Sequence, residues 1–219
     1  MSIVLHHVPA SRSFRVLWLL QEMGLTPEIR TYAIQDGSLR TPDFLEKSPA
    51  GRIPALEVDG QVIHESGAIT EYLCETRPQY GLGREVGHPE RVEFLEAMHY
   101  AETAGHLIAN LNLQWIFLRN PADRSDTVVK IEARRLAGAL APFESRFAKQ
   151  DYILPSGFSA ADTMMSFSFF AARRYVRLET FPNILAYLDR VHARPAYKAA
   201  RELDGSPNFP AEDFYEVRS

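Results

Sequence analysis

The hydrophobic positions change period along the chain. Ser2–His6 (SIVLH) is a short apolar run of strand length. From Arg12 to Gly24, Phe14, Val16, Leu17, Leu20 and Met23 recur at near-helical spacing, and Gly24 offers a stop. Glu28–Ala33 (EIRTYA) alternates as a second strand. Thr41-Pro42-Asp43 supplies an N-cap, a proline at N1 and a first-turn acid for a short helix ending at Lys47. Ala55–Val58 and Gln61–His64 are strands on either side of Asp59-Gly60, a pair suited to a type I′ turn, whose two central residues need positive φ. Ser66–Glu75 returns to helical spacing at Ile69, Tyr72 and Leu73. The resulting order is β-α-β-α-β-β-α. A strand–helix–strand start implies a right-handed crossover between parallel strands, and the hairpin adds antiparallel ones. The pattern predicts a four-stranded mixed sheet with helices on both faces.

Residues 78–89 (PQYGLGREVGHP) hold three glycines and two prolines and mark a domain boundary. An α/β domain over 1–80, a linker over 81–89 and an all-α domain over 90–219 are therefore expected. Glu90–Leu118 is a long helical stretch with Phe94, Met98, Ala101, Leu107, Leu111 and Trp115 roughly on one side. Asn120–Asp123 breaks it, and Ser125-Asp126 opens a helix running toward Lys149, which Pro142 should kink or split. Ser159 and Asp162 have N-cap and N3 spacing before the apolar Met164–Ala172, a segment apolar all round and so buried. Pro182–Ala193 and Pro195–Leu203 complete the helices, and the tail from Gly205 is expected to wrap the surface.

With 46% hydrophobic residues in 219, the chain can bury a sizeable core. A net charge of −4 without a Lys/Arg block argues against a nucleic-acid partner. No apolar run approaches the roughly 18–20 residues that span a bilayer. The N-terminus lacks a secretory pattern, and the single cysteine, Cys74, excludes an intrachain disulfide. A cytoplasmic protein without a membrane partner is expected.

Three places carry candidate chemistry. Pro54 stands at the entry to the third strand, where an X-Pro bond is either trans on an edge or cis. A cis bond would leave the backbone of Ile53 free to pair with an extended peptide. Glu65-Ser66 lies at a helix start. It reads either as simple N-capping or as a clamp, with Ser66 and the helix amides holding a carboxylate and Glu65 an ammonium. The loop Ala10–Arg15 joins the first strand to the first helix, beyond the strand ends where open α/β sheets bind ligands. A serine there caps the helix or, near Arg12 or Arg15, stabilises a thiolate. His6-His7 does not form a chelate, because adjacent strand residues point to opposite faces, and no metal is expected.

Ser11–Gly24 (SRSFRVLWLLQEMG) resembles the first loop and helix of soluble glutathione S-transferases. Ser48–Leu73 (SPAGRIPALEVDGQVIHESGAITEYL) is similar to that family's glutathione-site segment, and FSAADTMM resembles its capping-box region. The resemblance implies a thioredoxin-like α/β N-terminal domain (β-α-β-α-β-β-α), an all-α C-terminal helical domain, glutathione as co-substrate and a homodimer. It implies a detoxifying transferase of the serine type that stabilises the glutathione thiolate for attack on an electrophilic small molecule. A glutathione-dependent peroxidase or disulfide reductase, and a non-catalytic glutathione-binding or regulatory protein of this fold, are the other readings. By resemblance Pro54 matches the cis-proline and Ile53 the backbone partner of the cysteinyl part. Glu65 and Ser66 match the grip on the γ-glutamyl head, and Arg52 and Arg40 reach the glycyl end. Ser11 matches the thiol-activating serine, with Ser13 the alternative. The family's tyrosine is missing and its cysteine position falls near Ala10. A hydrogen-bond-donating serine is then expected rather than a proton-abstracting one, because no base or acid lies within sequence reach. The acceptor is expected between the domains, with Tyr100, Leu107 and Trp115 as candidates that also read as plain core or dimer contacts. Pro155-Ser156 departs from the Gly-Asp pair usual there.

Overall fold

The computed structural model describes residues 2–207, 209 and 211–216, so the expected course of the tail lies partly outside the described residues. The chain forms two compact units, one of residues 1–88 with 192–209 and the other of 89–191 with 210–219.

In the first unit the strands are β1 (Val4–His7), β2 (Glu28–Thr31), β3 (Ala55–Val58) and β4 (Gln61–His64). The helices are α1 (Ser13–Glu22), α2 (Pro42–Lys47) and α3 (Ser66–Thr76). The four-stranded sheet has the order β2-β1-β3-β4. β1 runs parallel to β2 with Leu5 opposite Ile29, and antiparallel to β3 with Leu5 opposite Leu56. β3 and β4 pair antiparallel across Val58 and Gln61, joined by Asp59 (φ 53°) and Gly60 (φ 76°), the two positive values the turn requires. β1 is central and buried on both faces, so His6 and His7 are both buried yet face apart. His6 lies 2.8 Å from both the Tyr32 hydroxyl and Glu57 Oε1.

A further helix, α8 (Pro195–Asp204), belongs to this unit and lies along α1. Tyr197 meets the rings of Phe14 and Trp18 edge-on, at 5.6 and 5.0 Å. Arg194 grips Glu22 with two hydrogen bonds of 2.7 Å, and Glu22 also accepts the Trp18 indole N–H at 2.9 Å. Fork-to-carboxylate pairing fixes both direction and register.

In the second unit α4 (Arg91–Asn112) leads into a single π-helical turn, Leu113–Phe117. α5 (Asp126–Phe147), α6 (Ala160–Ala172) and α7 (Pro182–His192) follow. Pro142 does not split α5 as its sequence position suggests. Proline removes one N–H and crowds the carbonyl four residues back. Here both Pro142 and Gly138 are exposed, so the carbonyl that loses its N–H partner lies on the solvent side of the helix. Pro155-Ser156 forms a tight turn closed by the Leu154–Gly157 bridge, and the Ser156 N–H donates to Glu90 at 2.8 Å. α6 is buried nearly all round, as expected.

The core of this unit depends on a buried carboxylate. Asp162 has no exposed surface and forms a capping box with Ser159, whose N–H donates to it at 2.8 Å. It also accepts from the Ile153 N–H and the Tyr187 hydroxyl, both at 3.0 Å. The Tyr187 ring stacks on Phe147 at 4.0 Å. Asp162→Ala strands the buried donors of Ser159, Ile153 and Tyr187 and is expected to cost about 3–5 kcal/mol, read as a lower melting temperature. Burial pushes the Asp162 carboxyl up to about 6, against the hydrogen bonds that pull it down. Between its ordinary value of 3.8 and about 6 the folded chain binds the extra proton, so stability falls as pH rises through that window. Wild type should therefore lose stability relative to Asp162→Asn between about pH 4 and 6, by up to ~1.4 kcal/mol per pH unit. A difference that is flat with pH contradicts this.

Candidate functional site

The candidate site lies in the first unit, where β1 runs into α1, the chain enters β3, and β4 runs into α3. Arg12, Ser48, Arg52, Ile53, Pro54, Glu65 and Ser66 line one cleft. The Ile53–Pro54 peptide is cis, and the β3 ladder begins only at Ala55. Glu65 carries φ 73° and ψ 119°, values that a residue with a Cβ adopts at a cost of order 1–3 kcal/mol. Its side chain is exposed and makes no capping bond, which removes simple capping as its role. Its carbonyl accepts the first bond of α3, from the Ile69 N–H at 2.9 Å.

Ser66 is buried, and its hydroxyl accepts from Arg15 Nη1 at 3.1 Å. Arg15 itself is fully buried in α1. It therefore orients Ser66; of the two arginines at the start of α1, Arg12 lines the cleft and Arg15 does not. Arg40 is not among the lining residues. Its guanidinium donates to the Ala50 carbonyl at 3.2 Å and lies 2.5 Å from where a Cβ on Gly51 would stand. Gly51 (φ 62°) is thus needed both for its backbone conformation and for the arginine beside it. Ser48 accepts the Arg52 N–H at 3.3 Å and shapes the same turn.

The first loop holds both candidate serines. The Ser11 and Ser13 hydroxyls are 2.8 Å apart, and the Ser13 N–H donates to Ser11 Oγ at 3.3 Å. Ser13 is fully buried and its Oγ lies 2.7 Å from His7 Nδ1. His7 Nε2 in turn faces the Asp204 carbonyl at 3.1 Å and Asp204 Oδ1 at 3.3 Å. Asp204 Oδ1 also accepts the Ala10 N–H at 3.2 Å, and Oδ2 accepts from Arg201 at 2.5 Å. A base and an acid thus stand behind the serines, which the sequence did not reveal. The histidine pair was the signal available for one of them; nothing local marked Asp204, 197 positions away. Cys74 is a buried free thiol pushed up to about 12, chiefly by burial, and is no nucleophile at neutral pH.

The three candidates for the acceptor lie in the second unit. Tyr100 and Leu107 are on α4, and the Tyr100 hydroxyl donates to the Ala139 carbonyl at 3.1 Å. Leu107 is buried. Trp115 sits on the π turn, with the Arg124 guanidinium 3.6 Å over its ring and its indole N–H buried without a hydrogen-bond partner.

The chain's likeness to known proteins agrees with this arrangement. Residues 2–75 match the family described as Glutathione S-transferase, N-terminal domain, and residues 108–195 match Glutathione S-transferase, C-terminal domain. The chain is 32% identical to Glutathione S-transferase 3 of Schizosaccharomyces pombe over 213 residues, covering 91% of this chain and 87% of that one. It is 29% identical to Maleylacetoacetate isomerase of Pseudomonas aeruginosa over 215 residues, covering 92% and 96%. Among solved structures, a glutathione transferase from Methylococcus capsulatus strain Bath superposes with a TM-score of 0.80 at 29% identity, covering 92% of this chain and 98% of that one. With both domain families matched in order and a relative above 30% identity along nearly the whole length, the chain belongs to the glutathione S-transferase family.

Proposed function

We propose that the protein is a serine-type glutathione transferase, which binds glutathione in the cleft of the first unit and presents its thiolate to an electrophilic small molecule. One observation carries the reading: Ile53–Pro54, Glu65 and Ser66, distant in sequence, line a single cleft with Arg12 and Arg52. Glutathione is an extended tripeptide with an amino-acid head, a thiol and a terminal carboxylate. In this reading the exposed Glu65 carboxylate takes the ammonium of the γ-glutamyl head. Ser66 and the first amides of α3 take its carboxylate, where the helix N-terminus adds a positive field. The Ile53 backbone pairs with the cysteinyl unit, and Arg52 takes the glycyl carboxylate. Arg40 acts on that end only through the turn it braces.

The chemistry follows from the thiol. A free thiol with a pKa of about 8.5 is mostly protonated at neutral pH. A hydroxyl that hydrogen-bonds the charged form lowers that value, and Ser11 supplies one at the start of α1. The sulfur then forms a bond to an electron-poor carbon with loss of its leaving group or opening of its double bond. Tyr100, Leu107 and Trp115 are candidate contacts for that acceptor. Family membership supports a homodimer, and the lone buried cysteine supports a reducing, cytoplasmic setting.

Immobilised glutathione should retain the protein. Glu65→Ala and Ser66→Ala should each weaken retention about tenfold or more, the effect of losing one charge-assisted hydrogen bond. Equal retention by all three proteins would sink the assignment. Ser11→Ala should raise the pKa of the bound thiol, followed by thiolate absorbance against pH; an unchanged titration transfers the role to Ser13 or to the backbone amides.

A further inference from the structure

The geometry points to a proton relay: the glutathione thiol passes its proton through Ser11 and Ser13 to His7, which Asp204 holds in place. The inference rests on the glutathione reading of the cleft and adds to it a destination for the proton.

The direction of each hydrogen bond follows from the partners. His7 Nε2 faces two acceptors, the Asp204 carbonyl and Oδ1, so this nitrogen carries the hydrogen. In the neutral ring Nδ1 is then a lone pair, and at 2.7 Å it accepts the Ser13 hydroxyl proton. The Val8 carbonyl at 3.2 Å is a second acceptor within reach of the Ser13 hydroxyl, but the imidazole nitrogen is nearer at 2.7 Å and takes the proton, so the Ser13 oxygen accepts from the Val8 N–H at 3.3 Å and the Ser11 hydroxyl at 2.8 Å. With neutral His7 the Ser11 proton is therefore directed at Ser13. A serine so engaged has no proton to give a thiolate, and its oxygen is an acceptor for a thiol S–H.

The transfer reverses every bond in the row. The S–H bond breaks and its proton forms an O–H bond on Ser11. The proton already on Ser11 moves to Ser13, and that of Ser13 moves to His7 Nδ1. The electron pair of the S–H bond stays on sulfur, and nothing is oxidised or reduced. At the end the Nδ1–H donates to Ser13, Ser13 donates to Ser11, and Ser11 donates to the thiolate. Thiolate formation and donor alignment are thus one event.

His7 faces the Asp204 carboxylate on α8, which also holds the Arg201 guanidinium, and the neutral Ser13 on α1. His6 is turned to the opposite face of β1, toward Tyr32 and Glu57. The His7 side chain is 1% exposed and that of Asp204 is fully buried, so the row from Ser13 to the carboxylate is closed to water. His7 and Asp204 touch no substrate in this scheme; they are positioning residues acting through the serines.

The test uses the whole protein, saturated with glutathione near pH 7 in weak buffer. Thiolate absorbance, protons released to an indicator dye and the ring-nitrogen NMR shifts of His7 are recorded together. The relay predicts thiolate with much less than one proton released per thiolate, and a His7 ring that passes from the neutral Nε2–H form to imidazolium. One proton released per thiolate with His7 still neutral overturns the relay and leaves the glutathione site standing. No retention and no thiolate overturns the site reading, and the relay with it. His7→Gln and His7→Asn should both raise the pKa of the bound thiol and lower turnover roughly a hundredfold near neutral pH. If folded His7→Asn, which keeps a hydrogen-bonding group near Ser13 but no base, restores the wild-type titration, the role is structural and the relay fails.

Discussion

A full charge placed where water cannot reach must be met by the protein itself. Arg15 is that charge: fully buried in α1, it donates to Ser66 at the first turn of α3. Removing a partner from such a group costs several kcal/mol, so the bond fixes the two helix N-termini in register with each other. Each terminus carries one half of the candidate site. The start of α1 brings Ser11, Arg12 and Ser13, and the start of α3 brings Glu65 and Ser66. The same helix presents Phe14, Trp18 and Glu22 to α8, so the piece that sets the cleft also sets where Asp204 stands.

Polar groups inside this unit are organised on opposite faces of one strand. β1 is central, with buried side chains above and below, and its two histidines serve different sides. His6 joins Tyr32 and Glu57. Burial raises the Glu57 carboxyl, but the His6 hydrogen bond and the nearby Lys47 and Arg30 charges outweigh it and hold it below its ordinary value. His7 joins the serines and Asp204. A one-residue slip in the pairing of β1 would exchange the two environments, so the register that aligns Leu5 with Leu56 also decides which imidazole meets Ser13.

Much of the α/β unit was legible because its signals are local. The hairpin from Ala55 to His64 follows from alternation about an Asp-Gly pair, and its strand limits agree with the structure. Glu65-Ser66 and Pro54 stood out as candidates once the element order placed them at strand and helix ends, and the structure brings them into one cleft. Pro142 was legible as a kink or a split, and the structure rules out the split: α5 runs through it. Arg15 was hidden by its residue type, since burial of an arginine is set by a partner 51 positions away. Asp204 was hidden by distance alone. Helical spacing says that residues 195–204 form a helix but not which surface that helix covers.

The contact between His7 and Asp204 joins positions 197 residues apart. Closing so long a span loses chain entropy that no local turn compensates, so such contacts form after the nearer ones. The cleft residues, all within Arg12–Ser66, can assemble from the first third of the chain, whereas the acid behind the histidine arrives only when α8 docks. A chain caught partway through folding would thus hold the shape of the cleft without the ionic backing of its serines.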